Sequence, residues 1–287
     1  KPTHIFYVTL EVSFLGSIIN DFKAVKKSFF IITGIGQLFF TNNFKHMILR
    51  FFYLFIFKIN LLKKNYLFIF QNDDDQNVFL KKVFIKKIKS KVIRGFGVKL
   101  NTNDKSYDRS QITFFFAGRL AKSKGIEEFL DAGKYLEKKY SNFKLLIAGS
   151  YFSDEHDYFS KSFYESLKEY NFIEYIGNVD HSKMNHLYEM ADIFVLPSYR
   201  EGLSKAVLEA ASNGMPLIVS DTPGCKECID NNGLLVRPKD SKDLAEKMEY
   251  FIKNPELIEK YSKNSQSHIK RHFSLDIIAS EYIGLIN

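Results

Sequence analysis

An alternation of short apolar runs with helical patterns is the feature of this sequence that most limits its fold. Runs rich in apolar residues at 112–116, 143–147 and 193–196 end in Ala-Gly, Ala-Gly and Pro. From residue 111 to the last residues of the chain, helical patterns of about 9–16 residues lie between such runs. Strands that are apolar along their whole length and are joined by helices are typical of a parallel sheet covered on both faces. We therefore predict a doubly wound α/β domain over 111–287.

The same patterns predict the remaining elements of this half. Further strands are expected at 172–176, 216–219 and 234–236, and helices at 126–140, 155–170, 182–190, 203–212, 241–252 and 255–272. We expect the last helical region, 258–286, to cross back to the N-terminal half.

The first hundred residues show a less complete version of the pattern. Strands are predicted at 4–9, 28–32, 66–70 and 91–93, and helices at 15–25 and 45–62. Residues 101–110 are polar except for Tyr107, which is typical of a linker. Because the chain begins with Lys1 and has few elements before the linker, we predict an incomplete Rossmann-like domain over 1–100.

The excess of positive charge lies in the N-terminal half of the chain. Residues 1–100 carry 17 Lys and Arg against 5 Asp and Glu, whereas residues 101–287 carry 24 against 28. An excess of positive charge in one half indicates what that half binds rather than how it folds. Nucleic acid, an anionic membrane surface and a phosphorylated substrate are all possible partners. Two cysteines are too few for a disulfide framework or a four-cysteine zinc site.

A membrane contact is suggested by residues 47–70, which are rich in aromatic side chains. Arg50, Lys58, Lys63 and Lys64 interrupt the stretch, whereas a spanning helix needs about 20 nearly uncharged residues. A transmembrane helix is therefore not expected. A basic interfacial helix and an ordinary half-buried helix remain as alternatives.

Several short motifs do not match known ligand sites. Gly34 and Gly36 lack the third glycine of a dinucleotide fingerprint, and no phosphate-binding P-loop motif occurs. Asp73, Asp74 and Asp75 form an isolated acidic triplet, which we interpret as a solvated turn rather than a metal site.

The cysteine and histidine residues also favour ordinary structural roles. Cys225 and Cys228 have no partner pair, so a redox role is disfavoured. His181 and His186 are interpreted as surface or packing residues. We expect no bound metal.

A basic loop follows the predicted strand 112–116. Residues 118–125, beginning at Gly118, place Arg119 and Lys124 before a helix. Arg can bind two oxygens of a phosphate, Lys adds a point charge, and the helix end adds amides. The loop is suited to a phosphate, although a basic surface loop needs no ligand.

Two glutamates follow the predicted strand 193–196. Glu201 stands at the entry to a predicted helix, and Glu209 lies eight positions later, about 12 Å along an ideal helix. The backbone amides at the helix start, those of Gly202, Leu203 and Ser204, are expected to be free donors. The two carboxylates could hold hydroxyls at the two ends of a nucleotide-sugar. Alternatively, an acid near the helix start is favourable through the helix dipole alone.

Together these segments carry a resemblance. The segments, in chain order, are GRLAKSKG at 118–125, IAGSY at 147–151, IEYIGNV at 173–179, DIFVLPSYREGLSKAVLEAASNGMPLIVSDTPGCKECI at 192–229 and NGLLV at 232–236. This set resembles the family-4 retaining glycosyltransferases of the GT-B fold, over about residues 111–250. The resemblance implies a fold of two Rossmann-like domains.

The resemblance also implies an activity and a set of site residues. The implied activity is that of a metal-independent hexosyltransferase without a cofactor. Its donor is a nucleotide-sugar, which we expect to be UDP-linked. Arg119 and Lys124 would bind the diphosphate, and Glu201 would lie against the donor sugar. Glu209 would bind the ribose, and Ile176 with Gly177 would lie beside the base.

The N-terminal half is similar, more loosely, to a bacterial subset that extends lipid-linked oligosaccharides for surface polysaccharide. The segments are those at 1–20, 29–40, 67–79 and 92–98. Thr33 stands where many relatives have a histidine, and Thr33 with Gly34 is assigned to the acceptor side. The implied partners are a saccharide or polyprenyl-diphosphate-linked acceptor and an anionic membrane surface, in the cytoplasm or at the cytoplasmic membrane face.

Two other functions remain to be distinguished from this one. A nucleotide-sugar epimerase of the same fold would lack an acceptor site. A nucleic-acid-binding protein would use the basic half electrostatically, but it would leave Glu201 and Glu209 without a role.

Overall fold

The computed structural model describes residues 2–19, 25–36, 39, 44–61, 65–82, 88–101, 110–150 and 159–286. The chain forms two compact units. The N-terminal unit comprises Lys1–Gly97 and Asp276–Asn287, and the C-terminal unit comprises Val98–Leu275. The division falls just before the predicted linker 101–110, of which residues 102–109 lie outside the described part.

The N-terminal unit contains one parallel sheet. Its elements in chain order are β1 (His4–Val8), α1 (Leu10–Ile19), β2 (Lys27–Ile32), α2 (Phe44–Leu61), β3 (Tyr66–Phe70), α3 (Asp73–Lys82) and β4 (Ser90–Val92). The strand order is β1-β2-β3-β4. Phe30, Phe57 and Phe68 are buried in one core between this sheet and the helices. Such burial is expected because the faces of a parallel sheet are covered by helices and carry apolar side chains.

Helix α3 corrects the interpretation of the acidic triplet as a solvated turn. Asp73, Asp74 and Asp75 form the first turn of this helix, and Lys81 and Lys82 lie in its last turn. The side-chain oxygen of Asn72 accepts a hydrogen bond from the Asp75 amide at 2.7 Å and so caps the helix. Acids at the start and bases at the end both favour the helix dipole.

The C-terminal unit contains a larger parallel sheet. Its elements are β5 (Ile112–Ala117), α4 (Ile126–Glu137), β6 (Phe143–Ala148), α5 (Lys161–Ser166), β7 (Ile173–Gly177), α6 (Met184–Met190), β8 (Ile193–Leu196), α7 (Lys205–Ser212), β9 (Leu217–Ser220), β10 (Gly233–Val236), α8 (Ser241–Lys253) and α9 (Leu257–His272). The six strands lie in the order β10-β9-β8-β5-β6-β7. This arrangement confirms the predicted doubly wound α/β fold.

The strand order contains a reversal that positions the site. After β5 the chain builds outward through β6 and β7, and then returns to place β8 on the other side of β5. In open α/β sheets, ligands bind beyond the carboxyl ends of the two strands that flank such a reversal. The loops after β5 and β8 therefore meet at the expected position for a ligand.

The last helix, α10 (Leu275–Ile283), belongs mainly to the N-terminal unit. Ile278 is buried with Phe29 and Ile69 of that unit, and the Tyr282 hydroxyl donates to the Gly95 carbonyl at 3.2 Å. Helix α9, by contrast, buries Ile258 and Ile269 in the C-terminal core. The return therefore begins near Asp276 rather than at the expected residue 258, because α9 has its apolar face against α7.

In the described part of the chain, each helix is too short or too polar to span a bilayer.

Gly125 allows the loops after β5 and β8 to approach each other. It precedes α4 with a left-handed φ of 75°, and a Cβ there would lie 2.2 Å from the Pro197 carbonyl oxygen. We expect Gly125→Ala to lower the free energy of unfolding by about 2–3 kcal/mol, because backbone strain and displacement of the loop add together. Urea unfolding followed by circular dichroism measures this.

Gly36→Ala is the matched control. Gly36 also has a left-handed φ, of 61°, but nothing lies within 4 Å of its added Cβ. Gly36→Ala should lower the free energy of unfolding only by the backbone strain, about 1 kcal/mol. Equal losses for the two variants would contradict the assigned role of the Gly125–Pro197 contact.

Candidate active site

The loops after β5 and β8 are joined by backbone hydrogen bonds. The Ser123 carbonyl accepts from the Tyr199 amide at 2.8 Å and from the Ser198 hydroxyl at 3.2 Å. Since Ser123 lies in the basic loop and Ser198 follows β8, these bonds hold the predicted phosphate loop against the segment that carries Glu201.

Lys124 and Glu201 form an ion pair between the two loops. The Lys124 ammonium lies 2.5 Å from a Glu201 carboxylate oxygen, and the side chains are only 18% and 13% exposed. Partial burial reduces the screening of a charge pair by water. Two predicted site residues that are far apart in sequence are thus brought into direct contact.

A third loop supports the backbone of Glu201. The Glu201 amide donates to the Pro223 carbonyl at 3.0 Å, and the Ser204 amide donates to the Gly224 carbonyl at 3.0 Å. Gly224 has a φ of 81°, and a Cβ there would lie 2.3 Å from the Glu201 carbonyl oxygen. The loop after β9 therefore packs directly on the segment that carries Glu201.

These contacts change two details of the sequence interpretation. The Ser204 amide, expected to be free for a ligand, is occupied by Gly224. Helix α7 begins at Lys205, so only the last part of the interval from Glu201 to Glu209 is helical and the expected 12 Å helical rise does not apply. Gly202 and Leu203 lie in the bend that precedes the helix.

Glu209 is the centre of a second polar cluster. Its carboxylate accepts from the Tyr188 hydroxyl at 3.3 Å and lies 3.1 Å from both the His181 ring and the Lys205 ammonium. Burial, together with the Glu209 charge, raises the pKa of Tyr188 well above its usual value. His181, interpreted from sequence as a residue without a fixed partner, is therefore part of the site.

A cavity of about 220 Å³ lies beside this cluster. Two predicted donor-site residues, Gly118 and Glu209, line it. Ile176 and Gly177, which were expected beside the base, do not line it, whereas the next two residues, Asn178 and Val179, do. The other lining residues are Ala117, Ala148, Gly149, Ser150, Met184, Tyr188 and Ala206. Because Ala206 is in the first turn of α7, the cavity reaches the positive end of that helix dipole.

The remaining predicted residues have separate locations. Arg119 is exposed in the loop after β5. Ile176 is 41% exposed at the end of β7. Thr33 and Gly34 follow β2 in the N-terminal unit and are half-buried.

Tyr199 and Glu128 are structural partners that sequence reasoning did not identify. The Tyr199 hydroxyl donates to the buried Glu128 carboxylate at 2.7 Å, and the Lys239 ammonium lies 4.7 Å from the centre of the Tyr199 ring. These contacts hold the segment before Glu201 on helix α4. No local signal predicts them, since the three residues come from different loops and helices.

The two cysteines are buried beside the site as free thiols. Burial and the nearby Glu201 charge raise the pKa of the Cys225 thiol, so it stays protonated at neutral pH. A protonated Cys225 thiol agrees with the interpretation that a redox role is disfavoured.

The chemistry of the site fits a ligand that is both anionic and rich in hydroxyl groups. Lys124, Lys205 and the start of α7 offer positive charge, and the Glu209 carboxylate can accept hydrogen bonds from a diol such as a ribose. The apolar wall formed by Val179 and Met184 suits a planar ring.

The chain is similar to known glycosyltransferases. The family model described as "Glycosyl transferases group 1" matches residues 100–268. The Campylobacter jejuni N,N'-diacetylbacillosaminyl-diphospho-undecaprenol alpha-1,3-N-acetylgalactosaminyltransferase is 29% identical over 90% of this chain and 69% of its own length.

A second relative and one solved structure extend the comparison. The Staphylococcus aureus capsular polysaccharide biosynthesis glycosyltransferase CapM is 30% identical over 60% of this chain, which spans 45% of CapM. The crystal structure of Anabaena HepE in complex with UDP is 18% identical, with a TM-score of 0.82 over 99% of this chain and 78% of HepE. The structural likeness is evidence of a shared fold.

The Lys124–Glu201 pair is expected to couple the two loops energetically. Lys124→Met or Glu201→Gln alone leaves a mostly buried group without its partner, which should cost about 1–3 kcal/mol of unfolding free energy. The double variant should lose about 1–2 kcal/mol less than the sum of the single losses. Urea unfolding of the four proteins measures the coupling.

The exposed Lys134–Asp131 pair is the control. Its atoms lie 3.1 Å apart, but its side chains are 44% and 53% exposed. We expect a coupling below about 0.5 kcal/mol for Lys134→Met and Asp131→Asn. Couplings of equal size in the two cycles would show that the Lys124–Glu201 contact does not join the loops.

Proposed function

The chain belongs to the group 1 glycosyl transferases and has the GT-B fold, and from this premise we propose that it transfers a sugar, with retention of configuration and without a metal, from a UDP-sugar to a lipid-linked saccharide. The observation that carries the proposal is the Lys124–Glu201 pair, in which Lys124 belongs to the same loop as Gly118, and Gly118 lines the cavity together with Glu209. The pair brings together a cation for a diphosphate and a carboxylate for a sugar.

In the proposed complex the nucleotide occupies the cavity. The base lies near Asn178 and Val179, and Glu209 accepts hydrogen bonds from the ribose. The diphosphate lies between the start of α7 and Lys124, with Arg119 as a further cation. Lys124 has several N–H donors, so it can bind a phosphate oxygen while remaining on Glu201.

The proposed chemistry depends on fixed positive charge. As the bond from the sugar to the nucleoside diphosphate breaks, negative charge grows on the departing phosphate oxygen and the sugar becomes oxocarbenium-like. Lys124, Arg119 and the α7 amides would stabilise that charge in place of a metal ion. Glu201 would orient the sugar through its hydroxyls. Attack by an acceptor hydroxyl from the face of the leaving group, with its proton passing to the departing phosphate oxygen, would form the new glycosidic bond and retain the configuration.

Support for the acceptor comes from the relatives. The Campylobacter jejuni relative is named for transfer to an undecaprenol-diphosphate-linked sugar, and CapM for capsular polysaccharide biosynthesis. We extend this acceptor class to the chain, and we assign Thr33 and Gly34 to the acceptor side. A polyprenyl-linked acceptor requires that the enzyme work at a membrane, here the cytoplasmic face.

Helices α1 and α2 supply a surface for that contact. Exposed apolar side chains on α2 are at least 44% accessible: Phe44, Met47, Ile48, Leu49, Phe51, Phe52, Phe55 and Ile59. On α1, Leu15, Ile18 and Ile19 are exposed as well. Lys45, Arg50 and Lys58 lie on the same helix α2. A basic helix with exposed aromatic residues is typical of shallow insertion into an anionic bilayer surface.

Titration with UDP in EDTA tests the donor site. The wild-type chain should bind UDP, and addition of Mg²⁺ should not improve the affinity. Glu209→Gln should weaken UDP binding by about 10-fold or more, because it loses a hydrogen bond between a charged group and the ribose. Glu201→Gln should bind UDP like wild type and bind UDP-sugar more weakly. Isothermal titration calorimetry measures both affinities.

Glu174→Gln is the matched control, because Glu174 is exposed on β7 and does not line the cavity. It should bind UDP like wild type. Binding that requires Mg²⁺ would contradict the metal-free proposal. Equal weakening of UDP binding by Glu201→Gln and Glu209→Gln would reverse or remove the assigned roles.

Vesicle co-sedimentation tests the membrane contact. Binding should require anionic lipid and decrease with salt, since each Lys or Arg near such a surface contributes about 1 kcal/mol. The double variant Phe52→Ser/Phe55→Ser should weaken vesicle binding, because it loses two side chains that insert into the bilayer surface. Lys58→Gln should weaken it because one positive charge is lost. Lys168→Gln, an exposed lysine of the C-terminal unit, is the control. Indifference to lipid charge would favour a soluble acceptor.

A further inference from the structure

A cluster of potential metal ligands lies outside the donor cavity. His268 and His272 are four positions apart on helix α9, so their side chains share one face of the helix. Asp230, in the segment before β10, completes the cluster, and one ligand atom from each residue lies within 4.8 Å of the other two. None of the three residues lines the cavity beside Glu209.

His268 is the member of the cluster that a purely structural role explains least well. It is 5% exposed, and within the described residues neither ring nitrogen has a hydrogen-bond partner. Its Nδ1 atom points toward Asp230, at 3.5 Å from a carboxylate oxygen. Because leaving a buried polar atom unpaired is costly, such an atom calls for a ligand.

We propose that Asp230, His268 and His272 form a site for one Zn²⁺ ion. Two imidazole nitrogens and a carboxylate oxygen are a common zinc ligand set, with water able to fill the remaining position. Bonds of about 2.0–2.2 Å separate neighbouring ligand atoms of a tetrahedral ion by roughly 3.4 Å. The Asp230–His268 distance of 3.5 Å already fits. The His272 side chain is exposed, and its rotation would bring the third ligand atom from within 4.8 Å to the same spacing.

Arg271 is the competing cation at this cluster. Its guanidinium lies 3.9 Å from the Asp230 carboxylate, and its side chain is 62% exposed. It can therefore turn into water when an ion binds. Replacing it should remove a competitor without removing a ligand, so Arg271→Gln should bind Zn²⁺ as tightly as wild type or more tightly.

The site would fasten one loop of the C-terminal unit to α9. Asp230 follows the segment from Gly224 to Cys228 that packs on Glu201, and its amide donates to the Asn232 side chain at 2.7 Å. The ion would add a link between that segment and the helix. Its expected effect is thermal stabilisation that rises with the Zn²⁺ concentration.

Zn²⁺ titration of the tag-free chain, in competition with a chromophoric chelator, tests the proposal. The wild type should bind one equivalent. His272→Ala and Asp230→Asn should each weaken binding by about 10-fold or more, since a lost direct ligand should cost at least as much as a lost outer partner. His186→Ala, another exposed histidine, should bind like wild type. Cobalt substitution should give an absorption band that the His272→Ala variant loses.

Melting temperatures with and without Zn²⁺ provide the second readout. Wild type should be stabilised, and His272→Ala and Asp230→Asn should not, while both variants keep the circular dichroism spectrum of the wild type without Zn²⁺. The unchanged spectrum shows that the variants are folded, and it keeps this test independent of the donor-site proposal. Unchanged Zn²⁺ affinity in both variants, or no measurable binding in wild type, would overturn the site and leave an ion pair between Asp230, His268 and Arg271.

Discussion

The close contact between Gly125 and Pro197 is the constraint on which the rest of the C-terminal unit's site depends. It brings the loop after β5 to within backbone contact of the loop after β8, on either side of the reversal in strand order. Only a residue without a Cβ and with a left-handed φ fits there. Once the two loops meet, Ser123 can accept from Tyr199 and Lys124 can reach Glu201.

The charged groups of the site depend on this framework in two different ways. Lys124 and Glu201 are mostly buried and come from separate loops, so their contact requires the loops to be placed first. Glu209, Lys205 and the start of α7 are local to one helix, so they need only that helix to form. In the proposed function both kinds of group are used, because Lys124 and Glu201 would act on the diphosphate and the sugar, whereas Glu209 would bind the ribose.

Much of the fold was predictable from local patterns, and the exceptions have physical causes. The strand 193–196 was predicted at its observed bounds because it is apolar throughout and ends at Pro197. The local pattern does not predict helix α3, because three adjacent acids also favour a solvated turn and the Asn72 cap is visible only in the structure. Helix α7 begins two residues later than the pattern predicts, since the Ser204 amide donates to the carbonyl of Gly224, a residue distant in sequence.

The sequence by itself determined the alternation of elements, the α/β class and the candidate charged residues of the site, because periodicity and motif spacing are local properties. Only the tertiary structure decided which of these residues touch. It paired Lys124 with Glu201, brought His181 and Tyr188 to Glu209, and placed Asp230 beside His268. Such contacts join segments that are distant in the chain, and their distances depend on how the sheet and helices pack, which no local pattern contains.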